Sequence, residues 1–336
     1  MNEKERIEAM MRGEAPDRCP FAPAIYEHKA ALINKSPADV CRNADLLSKA
    51  VEAEYNTYKP DTLVVGIDIY NIEAEAIGCE INYDNGNGVP TIKTRILNES
   101  NLKDLKIPDP EKDGRMPMIL EATEQIQNKF GGEVLVCAGV SGPFSLASSL
   151  MGDENLLVAS IEDPDYIQEV LKFTTEVGKQ YTRAILKTGA DVMVFDSAAA
   201  PPLVSPRQYK ESIFPHVKDL FSSLQKNGSR FLSYIVGGNT VDSFEYFIEA
   251  GAKNIICDFN ADLNAYIEKS KEKGVLLRKN FNPSILINGS SQEITEGVQE
   301  ILEHRKHYNG IIFGTGILPY DIPSMKVLFL KKIVTR

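Results

Sequence analysis

A chain of 336 residues, 43% hydrophobic and 25% charged, has an ordinary globular composition and length enough for a large apolar core. Its formal charge of −10 argues against unspecific nucleic-acid binding. No apolar run approaches the roughly 20 residues of a membrane span, and the charged start Met-Asn-Glu-Lys-Glu-Arg lacks the apolar core of a secretory leader, so a cytoplasmic protein with neither membrane nor nucleic-acid partner is expected. The five cysteines are odd in number and scattered, with no Cys-x-x-Cys. That pattern predicts no disulfide framework, and Cys137 and Cys257 read as small buried hydrophobes in apolar strands.

In chain order, short apolar runs at 20–25, 62–65, 133–138, 191–195, 230–235, 253–257, 274–277 and 310–313 read as eight strands. Most are unbroken Val, Ile, Leu and Phe stretches, as expected for parallel strands buried on both faces. Helical patterns lie between them. One is predicted over 36–58, opened by Ser36-Pro37; another runs from Asp163-Pro164 to near Gly189; a third opens at Ser205-Pro206. Eight strand–helix units in this length suit a (β/α)8 barrel, with a doubly wound sheet as the alternative. One insert breaks the rhythm: residues 79–100 carry Asn85-Gly86 and Asn87-Gly88 between two extended stretches, which predicts a small hairpin. With no linker or internal repeat, a single barrel domain over 1–336 is expected.

Several segments, in order, carry a resemblance. They are Ala15-Pro-Asp-Arg-Cys-Pro20, Gly66-Ile-Asp-Ile-Tyr-Asn-Ile-Glu-Ala-Glu-Ala-Ile-Gly78, Ile107-Pro-Asp-Pro-Glu-Lys-Asp-Gly114, Gly142-Pro-Phe-Ser-Leu-Ala147, Asp196-Ser-Ala-Ala-Ala-Pro201, Leu203-Val-Ser-Pro206, Phe231–Thr240 and Ile311–Pro323. Together the chain resembles the uroporphyrinogen decarboxylase superfamily, and within it the corrinoid-linked methyltransferase branch. The resemblance implies a TIM barrel of that type. Many members of the branch hold zinc with His-x-Cys before the Gly-Asn turn and a Cys after the last Thr-Gly. The matching positions here are Ile235, Gly237 and Ile317, whose side chains cannot ligate a metal. No zinc is therefore expected at that site. The arginine-rich segment of the true decarboxylase is also missing, since 21–28 reads Phe-Ala-Pro-Ala-Ile-Tyr-Glu-His.

Catalytic groups of barrels sit at the C-terminal ends of strands. After the first run come Glu27 and His28, readable as acid and base, as ligands of a different metal, or as a helix start. After the second come Asp68, Tyr70 and Glu73; Asp68 or Glu73 is readable as a general acid or as a carboxylate ligand of another metal, Tyr70 as a substrate contact, and the whole stretch alternatively as a solvated loop with helix-start acids. Asp196 closes a buried strand, where an acid is costly unless partnered or wet; it is the leading catalytic candidate. Tyr234 is read as a proton donor to a leaving oxygen, the alternative being a core tyrosine, and Asn239 stands beside it. Asp258 and Asn280 end later strands as candidate substrate contacts. His216, His304 and His307 read as surface residues.

In the methyltransferase branch, zinc lowers a thiol's pKa for attack on methyl-cobalt, so losing its ligands argues against thiol methylation. The resemblance then implies methyl transfer from an O-methyl donor, such as a methoxylated aromatic, to the Co(I) of a corrinoid held by a partner protein docked over the barrel mouth. The alternatives are a decarboxylase or lyase acting on another small molecule, and a non-catalytic binding homologue.

Overall fold

The computed structural model describes residues 1–336. Eight strands form one sheet in the order β1 (Phe21–Ile25), β10 (Ile311–Leu318), β9 (Leu276–Phe281), β8 (Asn254–Cys257), β7 (Ser233–Ile235), β6 (Asp191–Phe195), β5 (Leu135–Ser141), β2 (Thr62–Val65), and every pairing is parallel. The sheet curls until its two end strands, β1 and β2, lie side by side. This is the expected barrel, with helices around it, and not a doubly wound sheet.

No strand ladder links β1 to β2. One backbone hydrogen bond and several side chains bridge the seam instead. The Asp61 N–H donates to the Phe21 carbonyl (2.8 Å), and the Asp61 carboxylate accepts from the Phe21 N–H (2.6 Å). Arg6 and Arg18 neutralise that buried carboxylate. Higher up, Lys29 pairs with Glu54 (3.1 Å) and donates to the Val64 carbonyl (2.7 Å).

Strand existence matches the sequence reading, but several strands run further. β5 reaches Ser141, β9 reaches Phe281 and β10 reaches Leu318. The extra residues include Arg278, Lys279 and Asn280, whose polarity reads as a loop but is accommodated where strands open into the mouth. The helix predicted over 36–58 is two helices, Pro37–Val40 and Ala44–Tyr58. The Asn43 side chain accepts from the Leu46 N–H (2.9 Å) and caps the second. The Arg115 guanidinium takes the freed carbonyl of Cys41 (3.1 Å).

The helix begun at Asp163 runs Pro164–Lys187. After Ser205, a capping box starts Pro206–Gln208, a π-turn follows at Tyr209–Ile213, and an α-helix continues over Phe214–Lys226. The widened turn accommodates Pro215, which has no N–H to give the preceding turn.

The insert is a hairpin of β3 (Glu80–Asn82) and β4 (Thr91–Thr94). Its connection spans 83–90, longer than a two-residue Asn-Gly turn; Gly86 there has a positive φ of 57°. All five cysteines are buried and free. No helix is long and apolar enough to cross a membrane.

Candidate active site

Parallel strands in register place paired residues on the same face. Met193 pairs with Ser233 and Phe195 with Ile235, and both pairs face the barrel axis; Val194 pairs with Tyr234 and faces the helices. On the other side of the barrel, Ile256 pairs with Arg278, Arg278 with Ile312, and Asn280 with Gly314, all facing in. The inward set opens at the C-terminal mouth into a cavity of about 360 Å³. Tyr26, Tyr70, Phe195, Ile69, Ile235 and Ile256 give it apolar walls, and Arg278, Asp258, Asn280, Thr315 and Ser197 supply the polar groups. That combination of apolar lining and few convergent polar groups fits a small-molecule site.

Tyr26 stands edge-on to Phe195 (centroids 6.4 Å apart), as Tyr70 does (6.2 Å). The Tyr70 hydroxyl shares a hydrogen bond with Ser197 Oγ (2.7 Å). The Tyr26 hydroxyl has no protein partner; burial pushes its pKa up to about 12, against the pull of Arg278. Asp258 lines the cavity with both oxygens engaged. Oδ2 accepts from the Gly238 N–H (2.9 Å), and Oδ1 from the Phe259 N–H (2.9 Å) and Asn280 Nδ2 (3.1 Å). The Asn280 Oδ1 is buried without a donor.

The remaining candidates face away from this cavity. Asp196 is 0% exposed and belongs to the outward set. Its Oδ1 accepts from the Ser145 N–H (2.6 Å) in the first turn of helix Pro143–Met151, and its Oδ2 from the Tyr234 hydroxyl (3.0 Å). Burial raises its pKa to about 6, opposed by those donors. Gly142 makes room for it, since a Cβ there would fall 2.3 Å from the carboxyl carbon. Tyr234 is enclosed by Phe221 and Phe247 and receives the Tyr209 hydroxyl (3.3 Å).

Glu73 is buried, and its carboxylate accepts from the Ser141 N–H (2.7 Å) and hydroxyl (3.2 Å); desolvation pushes its pKa up to about 7. Asp68 takes a two-pronged contact from Arg115 (2.9 and 3.1 Å), which also meets Glu75. His28 is fixed between the Tyr320 carbonyl (2.9 Å) and the Tyr58 hydroxyl (2.8 Å), and burial lowers its pKa. Glu27 opens the short helix Glu27–Ala31, half-buried, with desolvation raising its pKa. Asn239 is exposed on the turn after β7.

Of the predicted site residues, the structure therefore gathers Tyr70, Asp258 and Asn280 around one cavity. Asp196 and Tyr234 form a second group behind the wall. Glu27, His28, Asp68, Glu73 and Asn239 lie apart from the cavity. The sequence reading missed Arg278 and passed over Tyr26. A charge directly after an unbroken apolar run, in phase with the inward positions, was the available signal for Arg278.

Ile235 and Gly237 line the cavity, and Ile317 stands on its rim, 59% exposed. An isoleucine pair and a glycine offer no donor atoms, so the residues at this position do not fit a zinc ion. No group of three or more His, Cys, Asp or Glu side chains gathers elsewhere in a metal-binding arrangement.

Comparison with known proteins gives a consistent pattern. The family profile described as uroporphyrinogen decarboxylase (URO-D) matches residues 2–336. The chain is similar to methylcobamide:CoM methyltransferase MtaA of Methanosarcina barkeri, 29% identical over 213 residues; the match covers 62% of this chain and 62% of that protein's length. It is similar over a longer stretch to methylcobamide:CoM methyltransferase MtbA of Methanosarcina acetivorans, 25% identical, covering 89% of this chain and 88% of the other. Uroporphyrinogen decarboxylase of Psychromonas ingrahamii is also 25% identical, over 84% of this chain and 81% of that one. Among solved structures, a methyltransferase from Methanosarcina mazei superposes with a TM-score of 0.85 at 23% identity, covering 99% of this chain and 98% of its own, which establishes the shared fold.

Proposed function

Because the chain belongs to the uroporphyrinogen decarboxylase family, we propose that it is a corrinoid-dependent methyltransferase. It moves a methyl group from a small O-methyl donor to the Co(I) of a corrinoid carried by a separate protein. The observation that carries this reading is the mouth cavity, which holds a partner-free tyrosine hydroxyl and a buried cation beneath a rim without zinc ligands.

The docked corrinoid would supply, as Co(I), the electron pair for the new bond to the methyl carbon. The methyl–oxygen bond breaks, and its electron pair stays on oxygen. An ether oxygen leaves poorly unless a donor stabilises it. Tyr26 is that donor in this reading: its hydroxyl faces the cavity protonated, and no protein acceptor competes for its proton. Asp258 holds Asn280 and the Gly238 turn in place at the edge of the cavity. Asp196 and Tyr234 act from behind, fixing the start of helix Pro143–Met151 and the Ser197 turn that reaches the cavity. The reaction deprotonates no thiol, so it does not call for the missing zinc. The exposed Ile317 and Phe259 on the rim, beside Gly237 and Gly316, suit the approach of a flat, bulky partner.

A decarboxylase or lyase acting on a small acid is the second reading, favoured by Arg278 in the cavity. The two separate in one anaerobic experiment. Purified protein is mixed with Co(I) corrinoid, free and protein-bound, and a panel of methoxylated donors, and the corrinoid spectrum is followed. Donor-dependent loss of the Co(I) band with gain of the methylated form supports methyl transfer. A flat spectrum with every donor, given a competent corrinoid protein, overturns it.

A further inference from the structure

Arg278 is the one buried arginine without an acid. The other two, Arg6 and Arg115, meet Asp17 and Asp61, and Asp68 and Glu75, respectively. Arg278 is 8% exposed, and it donates only to two backbone carbonyls: Nε to Ala22 (3.0 Å) and Nη2 to Thr315 (3.3 Å). Leaving a guanidinium buried with no counter-charge is costly. Asp258, the acid that shares its cavity, is already held by three donors.

A guanidinium has five N–H donors in a planar fork. Two are used here, so both N–H groups of Nη1 and one of Nη2 remain for a ligand, and guanidinium donors of this kind suit a carboxylate. The chain also leaves room for this group on purpose of packing: a Cβ on Gly314 would fall 2.7 Å from Arg278 Nε and 2.9 Å from Asn280 Oδ1. Asn280 Oδ1, buried and unpartnered, offers an acceptor on the same side. A second anionic group would meet that oxygen and Asp258 instead of a donor. The walls, Tyr26, Tyr70, Phe195, Ile69 and Ile256, are apolar and aromatic, and about 360 Å³ lies at the small end for a ligand pocket.

We propose that Arg278 is the recognition point for a single carboxylate on the small molecule bound in this cavity, so that the substrate is a monoanion with a small, flat apolar body. This deepens the methyl-transfer reading and rests on it for the identity of the substrate cavity. Arg278 is a specificity residue: the carboxylate pairs with its free N–H groups, and the apolar body lies against the aromatic wall toward Tyr26.

The test is binding to the full chain without corrinoid. 4-Methoxybenzoate and its neutral isostere 4-methoxybenzamide serve as probes, together with benzoate, phenylacetate and isovalerate, measured by calorimetry and ligand-observed NMR. Wild-type protein is expected to bind at least one of the anions, and to prefer methoxybenzoate over the amide by about tenfold or more, as charge-assisted hydrogen bonds allow. Arg278→Met removes the preference by weakening methoxybenzoate far more than the amide; Arg278→Lys keeps part of it. No preference in the wild type, an undiminished preference in Arg278→Met, or no binding of any anion at millimolar concentration overturns the proposal. The wild-type comparison stands even where a variant fails to fold. Anion binding without corrinoid methylation leaves this inference standing and sinks the methyl-transfer reading; methylation from neutral donors alone does the reverse.

Discussion

The two faces of the strand ends hold different kinds of polar residue. Behind the barrel wall, Asp196, Tyr234, Glu73, Asp68 and His28 are partnered by neighbouring protein groups. In front of it, the Tyr26 hydroxyl has no partner, Arg278 has no acid, and Asn280 Oδ1 has no donor. Buried polar groups are normally satisfied within the fold. A satisfied group holds the structure together, whereas an unsatisfied one at the edge of a cavity waits for a ligand. The difference teaches that burial alone does not mark a site in this barrel; open hydrogen-bonding groups converging on one cavity do, whereas lone unpartnered atoms such as the Tyr166 and Tyr181 hydroxyls lie away from it.

The sharpest way to break this comparison is Asp196→Ala. It strips the acceptor from the Ser145 N–H and the Tyr234 hydroxyl, both buried. The expected loss is about 3 kcal/mol of unfolding free energy, read from urea denaturation. An unchanged midpoint would show that Asp196 is not part of the supporting wall.

Glu73 gives a pH test of the same wall. Its folded pKa, pushed from 4.5 up to about 7 by burial, means that the folded state favours the protonated carboxyl. Its contribution is fully present below pH 4.5 and is lost as pH rises through about 7. The loss is on the order of 3 kcal/mol. Asp196, raised to about 6, works in the same direction. Glu73→Gln keeps an acceptor for the Ser141 N–H and cannot ionise, so thermal unfolding at pH 5 and pH 8 should differ less in the variant than in the wild type. Equal pH dependence in both proteins contradicts the assignment.

Gly314→Ala probes the front. The added methyl presses on Arg278 Nε and Asn280 Oδ1, with an expected stability cost of about 1–2 kcal/mol and a weakened preference for anions over neutral isosteres in the binding assay. Asn239→Ala, on an exposed turn, is the smallest: a stability change within about 0.5 kcal/mol and no change in ligand affinity.

Much of the fold was legible. Unbroken apolar runs at regular spacing gave all eight barrel strands, because parallel strands covered on both faces need apolar residues on both. Strand ends were not legible, since Arg278, Lys279 and Asn280 continue a strand in a sequence that looks like its exit. The site was legible only in part, for a physical reason. Residues just past a strand were treated alike, although alternation sends Phe195 inward and Asp196 outward, and Ile235 inward and Tyr234 outward. Asp258 and Asn280 were singled out only as strand ends, and they line the cavity because they fall in the inward phase. Asp68 and Glu73 were singled out for their density of charge, but partners far along the chain, Arg115 and Ser141, use that charge up. Only the folded chain shows such pairings.

Two tyrosines separate the faces most directly. Tyr26→Phe and Tyr234→Phe each remove one hydroxyl, the first from the cavity and the second from the wall. Methyl transfer to Co(I) corrinoid and urea unfolding would be measured side by side for both variants, using the best donor from the panel. The account predicts that Tyr26→Phe slows transfer by about 100-fold with unfolding unchanged, and that Tyr234→Phe lowers stability by about 1–2 kcal/mol with transfer per folded molecule within about twofold of wild type. A full rate in Tyr26→Phe together with a collapsed rate in a stable Tyr234→Phe would contradict it, and would move the chemistry behind the wall.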